Sequence, residues 1–146
     1  MTISNNLTVT DELVSTPNLS IEGITESVIL RYFETMNAGD YDATAALFAD
    51  EGTLNPPFEQ PIKGTEAIAS YLKAEATGMQ LFPRQGISQI IDNGDSQIQI
   101  TGKVQTPWFS VNVRWIFVLN PNPKILSVKI KLLASPQELL SLRRSQ

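Results

Sequence analysis

The sequence predicts an α+β domain in which helices come first and a strongly curved antiparallel sheet follows. Three observations predict it. Apolar residues recur at helical spacing in the first half, and from Met79 the period changes to two. The alternating part is divided by turn-forming clusters, Asn93-Gly94-Asp95 and Asn120-Pro121-Asn122-Pro123. Helices and strands segregated along the chain, rather than interleaved, mark this class.

Residues Met1 to Leu19 are rich in Thr, Ser and Asn without a sustained period, and read as a flexible arm ahead of one domain over 20–146. The first helix is expected from Ile21, with Ile24, Val28, Tyr32, Phe33 and Met36 on one stripe and Gly39 as its left-handed cap. Asp40 caps a second, short helix through Ala43, Leu47 and Phe48, closed by Gly52. Thr53 to Asn55 read as a brief edge strand before a Pro56-Pro57 loop. A third helix, capped by Thr65, carries Ile68, Leu72 and Ala76 and stops at Gly78. Strands are expected over Gln80–Ile91, Gln97–Thr106, Val111–Leu119 and Ile125–Leu133. In the third, Val111, Val113, Trp115, Phe117 and Leu119 share a face. In the fourth, Leu126, Val128, Ile130 and Leu132 do, with Lys129 and Lys131 opposite. Ser135, Pro136 and Glu138 form a capping box for a short terminal helix over Pro136–Arg144, which needs a surface to dock on.

Composition narrows the chemistry. At 146 residues the chain suffices for one domain burying roughly two thirds of its unfolded surface. A net charge of −4 argues against nucleic acid, whose phosphates need a basic face. There is no apolar run of membrane-span length and no apparent signal peptide. With no cysteine there is neither disulfide nor thiolate metal site. With no histidine the commonest general base and metal ligand are missing, which argues against an enzyme. Asp40, Asp50, Glu51 and Glu75 offer a carboxylate for an isomerase-like reaction. However, Asp40 reads as a cap, Asp50-Glu51-Gly52 as a turn and Glu75 as a solvated helix residue, so no catalytic residue and no metal site are assigned. Lys73, Lys103 and Arg114 are expected to face solvent or an interface.

The segment TGKVQTPWF, Thr101 to Phe109, is the most distinctive. Pro107 cannot donate to a sheet ladder and ends the pairing, and Trp108 and Phe109 follow at once. With Trp115 on the next strand, two indoles stand near one break in a sheet and nothing reactive accompanies them. Such a site holds a flat or elongated apolar molecule, and an indole N–H can fix one polar atom of it. Ordinary core packing accounts equally for Tyr32, Leu81 or Ile130 taken singly.

TGKVQTPWF, WIFVLNP (Trp115 to Pro121), LLASPQELL (Leu132 to Leu140) and LFADEG followed by PPFEQPIKG (Leu47 to Gly64) together resemble the C-terminal domain of the cyanobacterial orange carotenoid protein. The likeness runs from about Ser20 to Arg143. It implies the cone named after nuclear transport factor 2, a bent mixed or antiparallel sheet wrapped around N-terminal helices, with a short C-terminal helix. It further implies non-covalent binding of a keto-carotenoid (canthaxanthin- or echinenone-like). Tyr32, in ILRY, and Trp115, in NVRWIF, match the donors to its keto oxygen. Met36, Leu81, Thr106, Pro107, Trp108, Phe109 and Ile130 match tunnel-lining positions. Implied partners are a second copy in a non-covalent homodimer, helical carotenoid-binding proteins as pigment acceptors, and a transient membrane contact for pigment uptake. Implied roles are carriage, transfer and singlet-oxygen quenching in the cytoplasm, with thylakoid association. The same cone also suits a small-molecule isomerase or dehydratase, or a pigment-free interaction module. Two departures bear on the cavity mouth: Ser110 alone separates Phe109 from the next strand, and Ala76 stands where relatives often carry cysteine.

Overall fold

The structure, a computed structural model, describes residues 19–133. The flexible arm expected over 1–19 falls outside them except for Leu19, which packs half-buried against the core. The terminal helix expected over Pro136–Arg144 also lies outside the described residues.

Helix α1 spans Ser27–Ala38, where Val28, Ile29, Tyr32, Phe33 and Met36 form its buried stripe. Gly39 closes it at φ 75°, the left-handed conformation expected there. The helix starts six residues later than the periodicity suggested. Gly23, at φ 87°, turns the chain instead, and Glu22 pairs in parallel with Gln85. Ile21 and Ile24 are buried all the same. Their spacing reported burial, and burial does not require a helix.

Helix α2 spans Tyr41–Ala46, with the Asp40 carboxylate accepting from the Ala43 N–H. It ends before Leu47, so Phe48 is not helical. Strand β1 runs Phe48–Asn55, absorbing the turn expected at Gly52. The segment Thr53–Asn55 is not an edge. It pairs antiparallel with β2 (Ile62–Lys63) and in parallel with the last strand. Helix α3 spans Thr65–Glu75, with Gly64 rather than Thr65 at its N-cap and Ile68 and Leu72 buried.

The alternating region folds much as its period requires: β3 Gln80–Ile90, β4 Ser96–Gln105, β5 Ser110–Leu119 and β6 Ile125–Leu133. Together with β1 and β2 they form one six-stranded mixed sheet in the order β2-β1-β6-β5-β4-β3. Irregular register between Pro83 and Gln85, between Phe48 and Thr53, and between Val118 and Leu119 bends it. The last of these brings both Ile125 and Val128 into the core and leaves Leu126 half-buried, a departure from strict alternation. The concave face carries Ile98, Ile100, Val113, Trp115, Phe117 and Val128, all at most 1% exposed, and α1 lies against it.

Candidate ligand-binding cavity

Helix α1 and the concave face meet through rings. Phe33 stands edge-on to Trp115 with centroids 4.8 Å apart, and Tyr32 edge-on to Phe117 at 5.0 Å. Phe33 also contacts Tyr32 edge-on at 5.3 Å. This cluster closes one end of an apolar cavity of about 260 Å³. Tyr32 and Trp115, each 1% exposed, both line it. Among the described residues, neither the Tyr32 hydroxyl nor the Trp115 indole N–H has a protein acceptor. Burial alone pushes the Tyr32 phenol well above its usual range, so it remains a neutral donor. Two unpaired donors in an apolar wall favour a ligand oxygen, because leaving them without acceptors costs more than a made bond returns.

The structure brings together seven of the nine residues singled out in the sequence. Tyr32, Met36, Leu81, Thr106, Phe109, Trp115 and Ile130 line the one cavity. Pro107 and Trp108 stand outside its wall. Pro107 lies over Gly78, and Trp108 is 85% exposed. Thr106 explains why neighbouring aromatics part. Its hydroxyl accepts from the N–H groups of Trp108 and Phe109, at 3.1 and 3.0 Å, and donates to the Phe109 carbonyl at 3.0 Å. This side-chain turn holds the short β4–β5 connection in one shape.

Of the other wall, sequence reasoning touched only Ala76, as a departure at the mouth, and Glu75, as a weighed carboxylate. Pro56 and Pro57 follow β1, Tyr71, Leu72 and Glu75 come from α3, and Ala76 is the C-cap of that helix. Leu72 and Ala76 belonged visibly to an apolar helix stripe, which was the available signal. The prolines carried none. Asn37 pins the cavity floor to α1: its amide donates to the Leu81 carbonyl at 2.8 Å and its carbonyl accepts from the Leu81 N–H at 2.7 Å. At the open end the Tyr71 hydroxyl donates to Glu59 at 2.9 Å. Its phenol is pushed up by partial burial first, then by the Glu59 bond and the charges of Glu59 and Glu75.

Of the weighed carboxylates only Glu75 reaches the cavity, and it is exposed at the mouth. Asp40 is a helix cap and Glu51 pairs with Lys63 at 3.2 Å on the surface. Lys73 pairs with Asp42 at 2.9 Å. The described residues contain no cluster of carboxylates suited to a metal ion. The cavity thus combines apolar walls, two buried residues with donor groups, Tyr32 and Trp115, and one carboxylate, Glu75, exposed at its mouth.

Such a cone, with a bent mixed sheet closed over a helix and a cavity at its open end, is that of the Nuclear transport factor 2 (NTF2) domain, whose family model matches residues 24–133. The chain belongs to this family. Within it, the chain is 44% identical over 135 residues to the orange carotenoid-binding protein of Limnospira maxima, a match covering 90% of this chain and 43% of that protein. It is 42% identical over 137 residues to that of Synechocystis sp., covering 91% and 43%. The chain thus spans less than half the length of these relatives, corresponding to their C-terminal domain. The solved orange carotenoid protein of Anabaena (Nostoc) sp. binding canthaxanthin matches with a TM-score of 0.78 and 45% identity over 84% of this chain and 40% of that one. At this identity the relatives are carotenoid-binding proteins by name, not enzymes.

Proposed function

We propose that this chain binds a keto-carotenoid non-covalently, of the canthaxanthin or echinenone type, with one ring in the cavity. The Tyr32 hydroxyl and the Trp115 N–H donate to its keto oxygen. Met36, Leu81, Thr106, Phe109 and Ile130 enclose the ring, and Pro107 and Trp108 meet the emerging polyene. The observation that carries this reading is the pair of buried donors at one end of an apolar cavity, neither of which has an acceptor among the described residues. Canthaxanthin in the Anabaena relative supports the ligand class. A cavity of about 260 Å³ falls below the roughly 300–1,000 Å³ that enclose drug-sized ligands, so it takes one end of a long polyene. The exposed remainder calls for cover. A second copy supplies it in a non-covalent homodimer, and helical carotenoid-binding proteins receive the pigment in turn. In this reading the chain works in the cytoplasm as a carrier, and its bound polyene quenches singlet oxygen.

Production of the chain with and without a ketocarotenoid tests the reading through one absorption spectrum of the purified protein. Stoichiometric, co-purifying pigment with a shifted spectrum is expected. A colourless protein from a ketocarotenoid-producing host sinks it. Light scattering on the pigmented form checks the dimer, which a strict monomer at high concentration would exclude.

A further inference from the structure

The size of the cavity lined by Tyr32 and Trp115 points to a second kind of ligand. Its volume is about 260 Å³. An apolar cavity of ~150 Å³ takes up benzene, with its six carbon atoms, and the same density gives roughly ten non-hydrogen atoms here. A long polyene exceeds that several times over. One substituted six-membered ring matches it. The wall is apolar and well packed around such a ring: Leu54, Leu72 and Val113 are at most 4% exposed, and Met36 and Leu81 join them.

The polar groups of the wall decide which ring. Five lining side chains carry oxygen or nitrogen: Tyr32, Tyr71, Glu75, Thr106 and Trp115. Thr106 is saturated, because its hydroxyl accepts from two backbone N–H groups and donates to the Phe109 carbonyl. The Tyr71 hydroxyl donates to Glu59, and Glu75 is exposed at the mouth. Tyr32 and Trp115 are left, neither with an acceptor among the described residues, and burial keeps the phenol protonated.

A wall that offers donors and little else selects a neutral acceptor. A ketone accepts without bringing a proton of its own. An alcohol adds an O–H for which the inner wall provides only the Tyr32 oxygen. A carboxylic acid would have to pass Glu75 and give up its charge in an apolar space.

We propose that the cavity also binds free monocyclic ketones of about ten non-hydrogen atoms, of the trimethylcyclohexenone type, one molecule enclosed in one chain. This goes beyond the pigment reading. No polyene, acceptor protein or second copy is involved, because a ligand of this size leaves nothing projecting from the mouth. Both ligands place a carbonyl oxygen at Tyr32 and Trp115, so occupancy by one excludes the other. The small ketone is therefore a competitor of pigment loading.

The test titrates the full, pigment-free chain with isophorone, a water-soluble trimethylcyclohexenone. Calorimetry gives the affinity, and the two indole N–H signals of a proton–nitrogen NMR spectrum give the place, with Trp115→Phe assigning them. Saturable one-to-one binding is expected, with a Kd on the order of 10–100 µM for a well-enclosed ligand of this size. The Trp115 signal should move. That of Trp108, which is 85% exposed and outside the cavity wall, should not. Tyr32→Phe should weaken isophorone about fivefold and should not weaken the oxygen-free trimethylcyclohexene. Trimethylcyclohexanol should bind the wild type severalfold more weakly than the ketone does. The absence of saturable binding at millimolar isophorone overturns the inference. So does an unchanged isophorone affinity in Tyr32→Phe, movement of the Trp108 signal alone, an alcohol bound as tightly as the ketone, or binding seen only where the chain dimerises. Co-purifying pigment in a chain that does not bind isophorone would refute this inference alone. Isophorone binding by a chain that stays colourless in a ketocarotenoid-producing host would refute the pigment reading alone.

Discussion

The two ends of the cone use the same residue types in opposite ways. At the closed end Tyr32, Phe33, Trp115 and Phe117 are at most 1% exposed and lock edge to face across a helix and a strand. At the open end Phe58 and Trp108 are almost fully exposed and are carried by loops. The difference teaches where each property of the site comes from. Close packing gives the closed end a single geometry, fixed before any ligand arrives. The open end is shaped by a few side-chain-to-backbone bonds around Thr106 and by prolines, and its rings stay available to something outside the chain.

The largest effect should come from removing the ring shared by both donors. Phe33→Ala leaves a void against Tyr32, Trp115 and Phe117 and should cost about 3–5 kcal/mol, read by urea unfolding. A cost near that of an exposed aromatic would mean that the closed end is not preorganised. At the open end Thr106→Val removes the hydroxyl that serves three backbone groups. A loss of about 1–3 kcal/mol is expected, together with faster pigment exchange, because Phe109 would no longer be held at the rim.

Tyr32→Phe sharpens the comparison further because its sign should depend on the ligand. Without pigment it removes an unpaired buried hydroxyl and should be neutral or stabilising. With a keto-carotenoid it should weaken retention by about 1 kcal/mol and blue-shift the spectrum. Trp115→Phe should act similarly while leaving a small void, and the double variant should cost less than the sum if one donor partly replaces the other. An unchanged spectrum and retention in Tyr32→Phe would remove the proposed keto-oxygen site.

The smallest effect concerns pH. Burial raises the Tyr32 phenol in the folded state above the unfolded value of about 10. Above that pH the unfolded chain releases a proton that the folded chain keeps. Stability is thus unaffected by this group below about pH 10 and falls as pH rises beyond it. Tyr32→Phe should flatten part of that alkaline decline in a pH series of thermal midpoints. Tyr71, raised at the mouth, should account for a further part.

Much of the closed end was legible in the chain itself. The helical stripe through Tyr32, Phe33 and Met36 and the alternation through Val113, Trp115 and Phe117 each depend on neighbours a few residues away, and local sterics decide them. The caps at Gly39 and Asp40 were legible for the same reason. What needed the tertiary structure was every decision between distant segments. β1 extends to Phe48 and pairs in parallel with β6 because a partner strand is available, not because its sequence alternates well. Ile21 and Ile24 are buried without a helix because the edge of β3 offers Gln85 to Glu22. Trp108 and Phe109 are adjacent and follow the same proline, yet one faces solvent and the other the cavity, because Thr106 folds the turn between them. The convergence of Tyr32 and Trp115 on one cavity belongs to that second group. Composition and period place each on its own buried face, and only the closing of a bent sheet over α1 puts both residues in the wall of one apolar cavity.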